Sequence, residues 1–207
     1  FLLEKSRVVV QDQGERNYHA FYHLLSGAEE AALAVLHLQD GPQSFHYVNQ
    51  SGVYSLGEGR PSEASMYQEL MKAMSELRFL KSEMQGVTLV LASILHIGNI
   101  SFIPKVQDDD DSSMLSDDSV TSDAATALED LLGWNRLTLN KSMCTRLVTS
   151  GRGSSYEVPV RVSDATEGRD ALAKLMYSAL FDWLVQRVNL AVGVQSRVVS
   201  GEETQAG

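Results

Sequence analysis

Apolar residues recur along most of the chain at intervals of three and four, the spacing that places them on one face of a helix. Segment 18–27 ("YHAFYHLLSG") shows this pattern, and the run at 83–97 is apolar on every side, which predicts a buried central helix. Ser62 is the predicted cap of the third helix and Asp164 that of the last. Predicted helices cover 18–27, 28–38, 63–79, 83–97, two short pieces within 124–148 that break near Gly133, and 168–192. The buried side of the last helix is predicted to carry Leu172, Leu175, Met176, Ala179, Trp183 and Leu184.

Shorter extended stretches separate these helices. Residues 7–11 ("RVVVQ") and 99–103 ("NISFI", closed by Pro104) are rich in β-branched side chains, which predicts two short strands. Segments 146–150 and 155–162 flank a Gly-Arg-Gly-Ser turn, which predicts a β-hairpin. The expected fold class is therefore mainly α with a few short strands.

One acidic segment divides the chain. Residues 107–123 ("QDDDDSSMLSDDSVTSD") contain seven aspartates and no basic residue, so we predict a flexible surface loop that repels itself. The aspartates are adjacent and no glycine follows them, so they lack the spacing of a calcium loop. The expected organisation is 1–106, the acidic loop, 124–195, and a polar tail over 196–207.

The composition narrows the classes of partner. The chain has 207 residues and a formal net charge of −10, which argues against general binding to nucleic acid. The single cysteine, Cys144, favours a reducing, intracellular setting. The longest apolar run, at 87–97, is too short to span a bilayer, so no membrane insertion is expected. The chain opens within a predicted strand, which suggests a piece of a longer protein.

Few residues suggest catalysis or metal binding. His19 and His23 have the i, i+4 spacing of two metal ligands, but Glu15 is the only nearby acid, and the aromatic residues between them favour core packing. The Gly-x-Gly pairs at 57–59 and 151–153 lack the Lys-Ser/Thr of a phosphate-binding loop. By its motifs, the chain carries no catalytic centre.

The predicted hairpin is locally basic in an acidic chain. Arg146, Arg152 and Arg161 accompany a single acid, Glu157, between residues 146 and 161. Two interpretations remain open from the residues alone. The segment is either a solvated connection, or a projecting surface that meets an acidic partner by charge pairing.

Five strings in order resemble the myosin motor domain, and they run nearly from end to end of the chain. They are "LLEKSRVV" (2–9), "GERNYHAFYHLL" (14–25), "FHYVNQSG" (45–52), "ILHIGNISF" (94–102) and "RDALAKLMYSALFDWLVQRVN" (169–189). The resemblance implies most of the upper subdomain beside the actin-binding cleft, with one strand of the transducer sheet at the start. The family's phosphate-binding loop and second switch do not occur in these 207 residues.

The resemblance also implies partners and sites. The hairpin is similar in position to a myosin surface loop that contacts actin, so Arg146, Arg152, Tyr156 and Arg161 are the expected actin contacts. A position sixteen residues before Asp170 is often acidic or phosphorylatable in the family, and here it is Ser154. The complete motor is expected to use ATP and Mg²⁺, to contact actin filaments and the rest of the motor head, and to be cytoplasmic and cytoskeleton-associated.

Two further hypotheses stand beside the motor. One is a non-catalytic, myosin-derived scaffold that binds actin or another partner without producing force. The other is an unrelated helical interaction domain, which would require the five strings to match by coincidence. Whether the complete protein is an ATPase depends on residues outside this chain, and the isolated chain is expected to be inactive.

Overall fold

The computed structural model describes residues 3–57, 59–106, 109–151 and 153–193. Within these ranges the chain is mainly helical, as its sequence predicts. The α-helices are α1 His19–Gly27, α2 Glu30–Val35, α3 His46–Asn49, α4 Glu63–Glu76, α5 Lys81–Gly98, α6 Ser119–Leu132, α7 Arg136–Cys144 and α8 Val162–Ala191. Short 3-10 helices occupy Lys5–Val8 and Pro42–Ser44.

Two antiparallel hairpins complete the described fold. Strand β1 (Phe102–Val106) pairs with β2 (Asp109–Leu115), and Phe102 lies opposite Leu115. Strand β3 (Thr145–Thr149) pairs with β4 (Ser155–Pro159), as the predicted hairpin requires. Pro104 lies inside β1 and does not close it as predicted, because a two-stranded sheet leaves an edge that tolerates proline.

The core forms around α5. This helix contacts α1, α3, α6 and α8, and its residues 91–98 are all buried. Leu95 and Ile97 are fully buried, as the continuous apolar run predicts. Tyr22 and Tyr47 are the largest of the fully buried side chains. Helix α5 is therefore the element against which both halves of the chain pack.

Several helix ends follow from local sequence. Ser62 caps α4 by accepting a hydrogen bond from the Ser65 backbone N–H at 3.1 Å, which confirms that prediction. Gly133 ends α6 with a φ of +72°, a conformation that favours glycine. The Asn135 side chain then caps α7. The break predicted near Gly133 is therefore confirmed.

The strand predicted over 7–11 is not formed. The backbone N–H of Arg7 donates to Glu4, and those of Val9 and Val10 donate to Ser6. No strand in the described part of the chain lies beside this segment, so its backbone groups pair locally in a 3-10 turn. Val8 is fully buried, so the β-branched residues of this segment contribute to the core without forming a strand.

The flexible loop predicted over 107–123 is wrong for its described residues. Residues 109–115 form β2, and α6 begins at Ser119. Leu115 is 1% exposed and pairs with Phe102 of β1. Asp118 accepts a hydrogen bond from the Thr121 N–H at 2.7 Å and caps α6, so this acid starts a helix.

Helix α8 differs from its prediction in two ways. It begins at Val162, so Asp164 lies in its first turn and is not its cap, although a carboxylate there still favours the helix dipole. Leu175 and Trp183, predicted on the buried side, are 66% and 37% exposed. Other described elements cover α8 along one side, where Ala173 is fully buried.

Candidate functional site

The β3–β4 hairpin closes in a tight turn. The Gly153 N–H donates to the Ser150 carbonyl at 2.9 Å, and the Ser150 N–H donates to the Ser154 carbonyl at 2.8 Å. Gly153 has a φ of +83°, which this turn requires and which glycine adopts without strain. The hydroxyls of Ser150 and Ser154 lie 2.7 Å apart. Hydrogen bonds therefore join Ser150 to Gly153 and to Ser154 at the tip, where Ser154 is exposed.

The strand register assigns the side chains to two faces. Arg146 lies opposite Val158, and Val148 lies opposite Tyr156. Cross-strand partners share a face, and residues two apart along a strand share it too, so these four side chains form one face. Arg146 is exposed, and Tyr156 is 54% exposed. Two of the predicted contact residues thus lie together on one accessible surface.

The opposite face contains a residue that the sequence reasoning missed. Leu147 pairs with Glu157 and is 68% exposed. Lys141 of α7 binds Glu157 at 2.6 Å, so the single acid of the hairpin is already neutralised. Because side chains alternate between the two faces of a strand, the sequence of β3 could have predicted that Leu147 and Arg146 lie on opposite faces.

The four predicted contact residues have different surroundings. Arg146 has no ion-pair partner among the residues that the structure describes. Arg161 donates from Nε and Nη2 to Asp111 Oδ1 at 3.1 and 3.0 Å. Arg152 lies outside the described residues. The structure therefore brings Arg146 and Tyr156 together and places Arg161 beyond the end of β4.

The base of the hairpin is joined to the core. The Val160 N–H donates to the Cys144 carbonyl at 3.0 Å, and Ser113 of β2 donates its hydroxyl to the Val160 carbonyl at 2.8 Å. Burial raises the pKa of the Cys144 thiol, which therefore stays protonated at neutral pH. This side chain serves packing, and the hairpin projects from a fixed base.

Helix α8, which follows the hairpin, is held by a buried polar network. Arg169 donates from Nη1 to the carbonyls of Gly98 and Ile100, at 3.3 and 2.8 Å, and it pairs with Asp170 at 2.7 Å. The Tyr47 hydroxyl donates to Asp170 Oδ1 at 2.6 Å. Burial raises the pKa of Tyr47, so its proton is retained for this hydrogen bond.

Of the two histidines of α1, His23 is buried beside Glu63 and His19 is exposed. His23 Nδ1 lies 2.6 Å from Glu63 Oε2, and Arg16 pairs with the other oxygen of Glu63 at 2.7 Å. The rings of His19 and His23 have centroids 5.8 Å apart. Within the described residues, no cluster of three or more His, Cys, Asp or Glu side chains has the geometry to hold a metal ion.

A polar cavity of about 880 Å³ lies between the end of α5 and the start of α6. Asn99 and Asp118, two of its lining residues, are already bound by neighbouring groups. Asn99 accepts from the His46 N–H and donates to the Ser44 carbonyl, both at 2.8 Å, and Asp118 accepts from Ser101 at 2.9 Å. The Asn99 amide, whose donor is used by the Ser44 carbonyl, is therefore not free to bind a phosphate group.

None of the described helices combines the length and the apolar character needed to cross a bilayer. The family model described as "Myosin head (motor domain)" matches residues 1–201. The chain is 38% identical to the myosin ID heavy chain of Dictyostelium discoideum over 202 residues, covering 93% of this chain and 17% of that protein. It is 34% identical to unconventional myosin-Id of Danio rerio, covering 100% of this chain and 20% of the relative.

Unconventional myosin-Ic of Rattus norvegicus is 36% identical over 189 residues, which cover 91% of this chain and 17% of the relative. The chain thus spans about a fifth of the length of the curated relatives it matches. The family match covers almost the whole chain, in agreement with the five strings noted in the sequence. The chain therefore belongs to the myosin head (motor domain) family.

Proposed function

We propose that this chain is part of an actin-based motor head that couples ATP hydrolysis to movement. It supplies one wall of the actin-binding cleft and, through the β3–β4 hairpin, a direct actin contact. The observation that carries the proposal is the exposed hairpin face that combines Arg146 with Tyr156. The complete head binds ATP and Mg²⁺ with residues outside this chain, and it is a cytoplasmic, cytoskeleton-associated protein.

The chemistry of the hairpin suits an acidic partner. The whole chain has a formal charge of −10, so attraction to an acidic filament depends on a local basic surface. Glu157 pairs with Lys141, and on the opposite face Arg146 has no ion-pair partner within the described ranges. Tyr156 adds a rigid aromatic surface that loses little entropy on binding. Arg152 and Arg161 are the further proposed contacts.

Ser154 is the proposed regulatory position of this surface. Its exposed hydroxyl lies beside Ser150 at the tip, where a kinase could reach it. Phosphorylation would add about −1.5 to −2 charges at neutral pH. That change would offset the charge of the hairpin arginines and so alter the affinity for an acidic filament.

The test removes two positive charges from the hairpin of the complete head. Arg146→Ala combined with Arg152→Ala should weaken cosedimentation with actin filaments about three- to tenfold at low ionic strength. The salt dependence of binding should become flatter, because screening then has fewer charges to act on.

Arg60→Ala combined with Lys72→Ala is the matched control. Both side chains are exposed and lie outside the hairpin, so this pair removes the same net charge elsewhere. It should leave actin affinity within about twofold of the wild type. Equal effects of the two double variants, or no effect of either, would remove the hairpin from the interface.

The second candidate function is a scaffold that binds actin or another partner without producing force. The hairpin geometry serves either function. Actin-activated, Mg²⁺-dependent ATP hydrolysis by the complete head separates them, because a scaffold would bind actin without accelerating hydrolysis. The isolated chain should show no saturable ATPase activity in either case.

A further inference from the structure

Among the residues that the structure describes, an ion pair and a hydrogen bond join the β1–β2 hairpin to the end of the β3–β4 hairpin. Arg161 lies two residues after the last residue of β4. It donates two hydrogen bonds to Asp111 of β2, at 3.1 and 3.0 Å. Ser113, two residues further along β2, donates to the Val160 carbonyl at 2.8 Å. The acidic strand therefore lies against the base of the basic hairpin.

The Asp111–Arg161 pair is accessible from solvent. The side chains are 77% and 62% exposed, whereas Arg169 and Asp170 in the α8 network are 9% and 23% exposed. Exposed pairs of this kind form and break easily, because water and salt compete with them. Arg161 can therefore exchange the carboxylate of Asp111 for one on a docking surface.

We infer that Asp111 sets how strongly Arg161 contributes to the binding of an acidic filament. This inference rests on the proposed function of the hairpin. For Arg146, the whole attraction to a carboxylate of the partner counts toward binding. For Arg161, the interaction with Asp111 is lost when the partner binds. Only the difference between the energy of the new interaction and that of the lost one therefore contributes to affinity. Asp111 is thus an intramolecular competitor, and the acidic segment lowers the affinity of the surface beside it.

A double-mutant cycle in the complete head tests the competition. The variants are Asp111→Asn, Arg161→Ala and the combination, each measured by actin cosedimentation at low ionic strength. Arg161→Ala alone should change the dissociation constant by less than about twofold, because Arg161 is already paired. Asp111→Asn should tighten binding about two- to fourfold, and this gain should disappear when Arg161 is also alanine.

Asp117→Asn is the matched control for the loss of a negative charge. Asp117 is also 77% exposed and pairs with an arginine at 2.8 Å, but that arginine is Arg136 of α7 and not part of the hairpin. Its substitution should change actin affinity by less than about 1.5-fold in either Arg161 background. Melting temperatures of all variants should stay near that of the wild type.

The outcomes separate this inference from the proposed function. If Asp111→Asn tightens binding equally with and without Arg161, general repulsion acts and the competition is refuted. If Asp111→Asn leaves binding unchanged or weakens it while Arg146→Ala with Arg152→Ala weakens binding, the inference alone fails. If every hairpin substitution leaves binding unchanged, the proposed function fails, and the inference fails with it.

Discussion

Substitution of Gly98, the last residue of α5, tests how tightly the core packs around the Tyr47 ring. A Cβ atom at this position would lie 2.6 Å from Cδ2 and 2.8 Å from Cε2 of the Tyr47 ring. These distances are well below van der Waals contact, and Tyr47 is fully buried, so its ring has little room to move. Gly98→Ala must therefore displace the ring and disturb the hydrogen bond from Tyr47 to Asp170.

The expected cost follows from two effects. Overpacking of a buried site costs about 1–3 kcal/mol. Weakening a hydrogen bond to a charged group adds about 1.5–3 kcal/mol when the bond is lost. Alanine recovers up to about 1 kcal/mol of helix propensity relative to glycine. At the middle of these ranges, the net loss in the free energy of unfolding should be about 3–4 kcal/mol for the part of the fold that contains α5.

Hydrogen exchange in the complete head measures this local free energy. Amides in residues 91–98 should exchange about 140- to 700-fold faster in Gly98→Ala, since a factor of ten corresponds to about 1.4 kcal/mol. Gly86→Ala is the control on the same helix, because its Cβ would meet nothing within 4 Å. That variant should slow exchange about two- to fivefold. Similar exchange in both variants would refute the proposed role of the Tyr47 ring.

Two further predictions concern charge at the hairpin tip and at the start of α6. Ser154→Glu should weaken actin binding about two- to threefold relative to Ser154→Ala at low ionic strength. The same two substitutions at Ser155 serve as the control. Tighter binding of Ser154→Glu would instead indicate a specific basic contact on the partner. The Ser116 hydroxyl, followed by the Thr121 N–H, holds the pKa of Asp118 well below its usual range. Because the folded pKa is depressed, the stabilisation is present above about pH 4 and is lost as the pH falls below it. Asp118→Ala should therefore lower the melting temperature at pH 7, and its difference from the wild type should narrow towards pH 3; a constant difference would contradict this account.

Local signals predicted much of the fold. The Ser62 cap, the break at Gly133 and the β3–β4 hairpin each depend on a few neighbouring residues, and each is confirmed. The acidic segment was misjudged because pairing between Phe102 and Leu115 overrides the weak β-propensity of aspartate and serine.

The candidate site was only partly predictable. The sequence alone predicts where the hairpin lies along the chain. Assigning its side chains to two faces also requires the register of its strands. The pairing of Arg161 with Asp111 joins residues 50 positions apart and has no local signature. Long-range side-chain contacts of this kind become visible only after the two hairpins are placed side by side.

The path of the chain from the hairpin into α8 has a mechanical consequence. Helix α8 contains 30 residues, so it forms a rod of about 45 Å that starts directly beyond the hairpin. Arg169 fastens this rod to the carbonyls of Gly98 and Ile100 about 10 Å from its first residue. Arg187 fastens it again, to Glu83 of α5, about 27 Å further along. Because the rod is held at two points, it cannot pivot about either one, and a displacement at its hairpin end would carry α5 with it.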